Sequence, residues 1–190
     1  MSKLLLYCTN DKNYPVAPFY KNDRTEYRTY DDSKYGVDFD EKINGKIVAE
    51  CDCNFIEEFT ADYRKDIDQL MRIVKDSCIP LITLADYENK SGNCHCLYAL
   101  HLSNLKAFDK LKELSEYFKD NFLQQLSDKD TRIHNAPQNM MYVYDKYGNR
   151  YILLSIHPYW LAKILNGEKT IEVRRKILNE LKELVQKNKN

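Results

Sequence analysis

Apolar residues fall in short runs separated by polar clusters, and most runs have a recognisable period. Lys3 to Thr9, centred on Leu4-Leu5-Leu6, reads as a buried strand closed by the polar turn Thr9-Asn10-Asp11-Lys12-Asn13. Asn44-Gly45 opens a second strand, Lys46 to Phe55. There Ile47, Ala49, Cys51, Cys53 and Phe55 alternate with Val48, Glu50, Asp52 and Asn54, one set for the core and one for water. Asp62 to Asp76 carries Ile67, Leu70, Met71 and Val74 at helical spacing, and Pro80 suits the first turn of a further helix through Tyr87. Cys94 to Phe108 is the longest strand candidate, apolar on both faces and so expected near the middle of a sheet.

Leu114 to Leu126 is expected to be helical, followed by an irregular connection over 127–139. The strands Met140–Tyr144 and Tyr151–Ile156 flank the polar turn Asp145 to Arg150. Pro158 stands where the first residue of a helix would be, Leu161, Ile164 and Leu165 form its apolar stripe, and Gly167 is placed just past its C-cap. A strand over Lys169–Arg175 and an amphipathic helix over Ile177–Gln186 end the chain. Residues 14–44 show no sustained period and read as a long loop, a kind of segment that is usually functional or mobile. No linker divides the chain, so residues 1–190 are expected to form one α+β domain around a small curved sheet.

Charge changes this picture only when resolved along the chain. The totals cancel, 29 basic against 29 acidic groups, which excludes indiscriminate coating of a polyanion. By segment, residues 1–60 hold 8 basic and 12 acidic groups, 61–150 hold 13 of each, and 151–190 hold 8 and 4. The excess of cations therefore lies in the last fifth of the chain. The 15 tyrosines are weaker evidence for base stacking, because the chain also has 16 Asn and 21 Lys against 8 Arg, the bias of an A/T-rich genome. The longest apolar runs are far below the roughly 20 residues that span a bilayer, and the first residues have too brief an apolar core for a signal peptide. The expected compartment is the cytoplasm, with all six cysteines reduced.

The densest chemistry runs from Ser155 to Arg175. A helix starting at Pro158 offers backbone N–H groups and a partial positive charge to an anion, and Lys169, Arg174 and Arg175 add full charges beside it. Tyr159 or Trp160 could flank a base, with Ser155 and His157 at the strand end. Glu172 could order Lys169 by ion pairing or accept a proton from it. Cys51-x-Cys53 with Cys94-His95-Cys96 would supply four zinc ligands, but the spacing is not that of structural zinc sites and the Cys51/Cys53 face is apolar, so no metal is expected. His101 reads as a satisfied core histidine and His134 as a loop residue. No P-loop, dinucleotide fingerprint or nucleophilic Ser or Cys motif occurs, and no cofactor is expected.

The stretch Ile152 to Arg174 resembles the opening motif of ASCH domains, relatives of the PUA RNA-binding domains. Its Gly-x-Lys-x-x-Glu-x-Arg pattern is filled by Gly167, Lys169, Glu172 and Arg174. Leu5–Thr9, Asn44–Ala49, Tyr98–Leu105 and Ala136–Val143 are similar to successive pieces of ASCH proteins of phages and mobile elements. In those proteins the motif opens the domain, whereas here it closes the chain, as a circular permutation would leave it. Asp145 to Arg150 would then bridge the old termini, and a closed monomer is favoured over a swapped homodimer completed by a neighbour's residues 151–190.

The resemblance implies a small mixed β pseudo-barrel with flanking helices, binding RNA or a modified nucleotide between the barrel and the 158–166 helix. It also implies an alternative, a hydrolase acting on acylated cytidine or single-stranded RNA with Lys169 and Glu172 as the acid/base pair. That branch carries a Thr three residues after its Lys, where this chain has Glu172, so its catalytic set is not intact; Thr170 would face away from Lys169. A third reading is a non-catalytic protein of a mobile element whose 14–44 loop engages a host protein.

Overall fold

The computed structural model describes residues 2–9, 16–21, 24–29, 43–89, 96–120 and 131–186. In chain order the elements are β1 (Ser2–Cys8), β2 (Val16–Lys21), β3 (Arg24–Thr29), β4 (Ile47–Phe59), α1 (Ile67–Ser77), α2 (Leu81–Asn89), β5 (Leu97–Lys112), β6 (Met140–Tyr144), β7 (Arg150–Ile156), α3 (Pro158–Leu165), β8 (Ile171–Arg174) and β9 (Val185–Gln186). A seven-stranded mixed sheet runs β6-β7-β1-β4-β5-β8, with β9 also on β4. β1 lies parallel to β7 and antiparallel to β4. The class is α+β, as the pattern of periods predicts. β6 and β7 form a hairpin whose turn is held by the Asp145 carboxylate accepting from the Tyr147 and Asn149 N–H groups at 2.8 and 2.9 Å. β7 sits between β6 and β1 of its own chain, and β8 pairs with its own β5.

Leu4, Leu5 and Leu6 are all fully buried, which one strand achieves only when both sheet faces are covered. Leu4 and Leu6 join the core beneath α3, with Leu161 and Ile164, while Leu5 packs with Tyr117, Ile133 and Leu153 on the other face. Each such leucine stabilises the fold by about 2 kcal/mol. A third apolar cluster joins Leu70 and Ile73 of α1 and Leu84 of α2 to Leu97, Ile171 and Val173.

Several expectations are corrected. Within 14–44 the structure has two strands, β2 and β3, paired as a separate antiparallel sheet; 14–15, 22–23 and 30–42 lie outside the described residues. α1 begins at Ile67, capped by Asp66, whose carboxylate accepts from the Gln69 N–H at 2.9 Å, and it buries Leu70, Ile73 and Ser77. Ile67 and Met71 stay about half exposed, because Gln69 and Arg72 turn toward a buried carboxylate on β4 and set the roll of the helix. β5 is one strand from the edge, and beyond Leu100 none of its residues is fully buried.

Within 114–120, the described part of the helix expected over Leu114–Leu126, the structure has a single 3₁₀ turn, Leu114–Glu116. Phe118 then exchanges backbone hydrogen bonds with Tyr144, each 2.9 Å, so pairing with the open side of β6 displaces a continued helix; 121–130 lie outside the described residues. The helix expected over Ile177–Gln186 is a 3₁₀ segment, Asn179–Leu184, followed by β9. β1 covers β4 only from Ile47 to Cys53, and β9 takes up the edge left beyond it at Ile56 and Glu57. Cys51 and Cys53 are buried in the core beneath α3, and Cys94 and His95 lie outside the described residues. No helix among the described residues is long and apolar enough to cross a membrane.

The reversal after α3 depends on one glycine. Gly167 has φ +74° and donates its N–H to the Ile164 carbonyl at 3.0 Å, and a Cβ there would meet open space. Gly167→Ala is therefore expected to cost about 1 kcal/mol from backbone strain alone. Chemical denaturation checks this, and Gly167→Asn should lose less, since Asn tolerates the left-handed conformation better.

Candidate functional site

β8, α2, α3 and the 138–139 segment enclose a cavity of about 780 Å³ lined by Ile79, Tyr87, Gln138, Asn139, Trp160, Glu172, Val173, Arg174, Arg175 and Lys176. The site begins with the chain leaving α3. The Lys169 and Thr170 N–H groups donate to the carbonyls of Lys163 and Asp76, at 3.0 and 2.9 Å, tying this segment to the ends of α3 and α1 before β8 starts at Ile171. That is why the strand is shorter than the expected Lys169–Arg175.

Lys169 is 1% exposed. Its ammonium donates to the Ser77 carbonyl at 2.8 Å, at the C-terminus of α1 where the helix dipole is negative, and pairs with Glu172 Oε2 at 3.2 Å. The Trp160 ring centroid lies 5.3 Å from Nζ. Burial pushes the Lys169 pKa down, opposed by the Glu172 charge. The other Glu172 oxygen pairs with Arg174 Nη2 at 2.9 Å. Arg174 also donates to the Ser155 carbonyl at 2.7 Å and to Asn139 Oδ1 at 3.2 Å. Ser155 Oγ in turn donates to the Pro137 carbonyl at 2.6 Å. A continuous polar chain thus runs from the end of α1 through Lys169, Glu172 and Arg174 to the end of β7, with Glu172 and Arg174 in the cavity wall and Lys169 behind it.

The fold brings Trp160, Glu172, Arg174 and Arg175 to one cavity. Lys169 and Ser155 stand behind it, buried and engaged, so neither is placed as a direct phosphate contact. His157 and Tyr159 do not line it. His157 Nδ1 accepts from the Tyr159 N–H at 3.3 Å and caps α3, which occupies part of the helix terminus expected to face an anion. Tyr159 packs edge-on against Trp160, with 4.5 Å between centroids. Thr170 is exposed while Lys169 is buried, so the two part company as expected, although both precede β8 and strand alternation is not the cause. Sequence reasoning did not single out Ile79, Tyr87, Gln138, Asn139 or Lys176. Gln138 and Asn139 lie in a stretch that resembles the ASCH family, but Tyr87 carries no local signal.

A second polar cluster lies on the face covered by α1. Glu57, 4% exposed, accepts from Arg72 at 2.8 and 2.6 Å, from Gln69 at 3.0 Å, and lies 2.5 Å from His101 Nε2. Desolvation raises the Glu57 pKa, but the hydrogen bonds from Arg72, Gln69 and His101 outweigh it and bring the value down to about 2. His101 is half-buried, its ring tilted against Phe55 with 4.5 Å between centroids, and its partner is this carboxylate, in keeping with a satisfied histidine. His134 is exposed on the connection before β6. Burial raises the thiols of Cys8 and Cys51 to about 12 and that of Cys53 to about 11, so these three are inert at neutral pH.

Comparison with protein-family models, with curated proteins and with solved structures finds no match.

Proposed function

We propose that this protein is a PUA-like module of the ASCH kind that binds RNA or a modified nucleotide in the cleft between α2, α3 and β8. The observation that carries the reading is the joining, around one cavity, of two aromatic residues with three cations: Trp160 and Tyr87 with Arg174, Arg175 and Lys176. Aromatic rings offer stacking to any base, and the cations neutralise phosphate. The Lys169–Glu172–Arg174 chain holds the wall in place.

Single-stranded RNA and nucleoside monophosphates are expected to bind with an affinity that falls steeply with salt. Arg175→Ala and Lys176→Ala should each weaken RNA binding uniformly across sequences and reduce the salt slope by about 1. Trp160→Ala should cost about 1–3 kcal/mol of binding whatever the salt. Fluorescence anisotropy across a salt series measures both, and absence of affinity at low salt would refute the reading.

A hydrolase is the second reading, favoured by the 3.2 Å approach of Lys169 and Glu172 and by the lowered pKa of the lysine. It predicts product from an N4-acylated cytidine or from single-stranded RNA, lost in Glu172→Gln. Unchanged substrate under conditions where the ligand binds would reject it.

A further inference from the structure

β8 ends the sheet: β5 pairs with one long edge and no described strand pairs with the other. The register Tyr98↔Arg174, Ala99↔Val173, Leu100↔Glu172 and His101↔Ile171 continues to Thr170, whose carbonyl accepts from the Leu102 N–H at 2.9 Å. Hydrogen-bonded positions alternate along an antiparallel pair. Glu172 and Arg174 therefore spend their main-chain groups on β5, and those of Ile171 and Val173 point away from it.

Ile171 does not line the cavity, but Val173 does. The Val173 side chain packs into the cluster beneath α1 and α2, and its main-chain N–H and C=O have no hydrogen-bond partner among the described residues. Val173 from one face of β8 and Glu172 and Arg174 from the other border the same cavity, so the cavity runs along the open strand edge. Val173 is 4% exposed, so its outward main-chain donor and acceptor find their partners from the cavity side.

We propose that the main chain of Val173 reads the hydrogen-bonding edge of the bound base. Its C=O accepts from an exocyclic amine or ring N–H, and its N–H donates to the adjacent ring nitrogen or carbonyl oxygen. Trp160 and Tyr87 flank the ring, and Arg175 and Lys176 meet the phosphate. The occupant is one planar ring rather than an added peptide strand, because strand addition uses outward pairs at successive alternate residues, and of Ile171 and Val173 only Val173 opens onto the cavity.

This assignment rests on the nucleotide reading above, and the test separates the two. The ¹⁵N-labelled protein is titrated with the four nucleoside 5′-monophosphates and with pentanucleotide RNAs of each base. With the tightest of these bound, the Val173 amide resonance should shift and its exchange with solvent should slow at least tenfold. The same ligand with its base-edge donors blocked by methylation (N6,N6-dimethyladenine, N4,N4-dimethylcytosine, 3-methyluracil or 1,N2,N2-trimethylguanine) should bind at least tenfold more weakly. Equal affinity of the blocked form, or a bound nucleotide that leaves the Val173 amide unprotected, overturns the assignment and leaves nucleotide binding standing. Failure of every nucleotide to bind overturns both.

Discussion

Lys169→Ala is expected to destabilise the protein by about 3–5 kcal/mol, the usual consequence of removing one partner of a buried ion pair, and to lower Tm on the order of 10 °C. Three losses combine. The Ser77 carbonyl at the end of α1 loses its donor, Glu172 loses one of its two cations, and a fully buried side chain leaves a void beside Trp160. Lys169→Met keeps most of the volume and removes only the charge, so it should lose less than the alanine variant. In Lys169→Met/Glu172→Gln no carboxylate is left uncompensated, and part of the loss should return. Thermal unfolding of the three variants checks the order, and a Lys169→Ala protein melting within 2 °C of the parent would contradict the structural role of this pair. The consequence for function is direct: loss of nucleotide binding in Lys169→Ala would report on the integrity of the cleft, and Arg175 and Lys176 are the positions that test contact.

Glu57 should dominate the acid limb of stability. Its folded pKa of about 2 lies below the ordinary 4.5, so its contribution is complete above the unfolded value and is lost as pH falls from about 4.5 through about 2. The sign is that of a carboxylate bound more tightly when charged, here by Arg72, Gln69 and His101. A shift of that size corresponds to about 3 kcal/mol; because Arg72 is 44% exposed and screened by water, about 2 kcal/mol is the expected amount. Denaturant unfolding between pH 2 and 7 should give a gap between parent and Glu57→Gln that is widest near neutrality and closes toward pH 2. A constant gap across that range would show that the carboxylate charge is not what α1 is anchored to.

Local periodicity located β1, β4, β6, β7 and α3 within a few residues, since alternation and helical spacing are consequences of burial on one face. Pro158 and Gly167 bounded α3 because their backbone preferences act without any tertiary partner. The Gly167–Arg174 segment was legible as chemistry for a similar reason: cations and a carboxylate crowd into a few positions. Its depth was not. Alternation assigns a face but not how far from water that face lies, and Lys169 is buried because the ends of α1 and α3 close over it.

The two failed helices have the same origin. Leu114–Leu126, of which 114–120 is described, and Ile177–Gln186 carry helical spacing, and short isolated helices are marginal; an unpaired sheet edge offered Phe118 and Val185 backbone bonds that a helix could not match. The sequence by itself determined the α+β class, most of the strands, and the cationic segment near its end. The tertiary structure alone decided that Trp160 and Tyr87, more than seventy positions apart, line one cavity, that Lys169 faces the interior while Arg175 and Lys176 line the cleft, and that among the described residues one edge of β8 is left without a partner strand. The reason is physical: period and charge are properties of neighbours along the chain, whereas burial, cavity walls and free hydrogen-bonding edges exist only between elements that the chain order keeps apart.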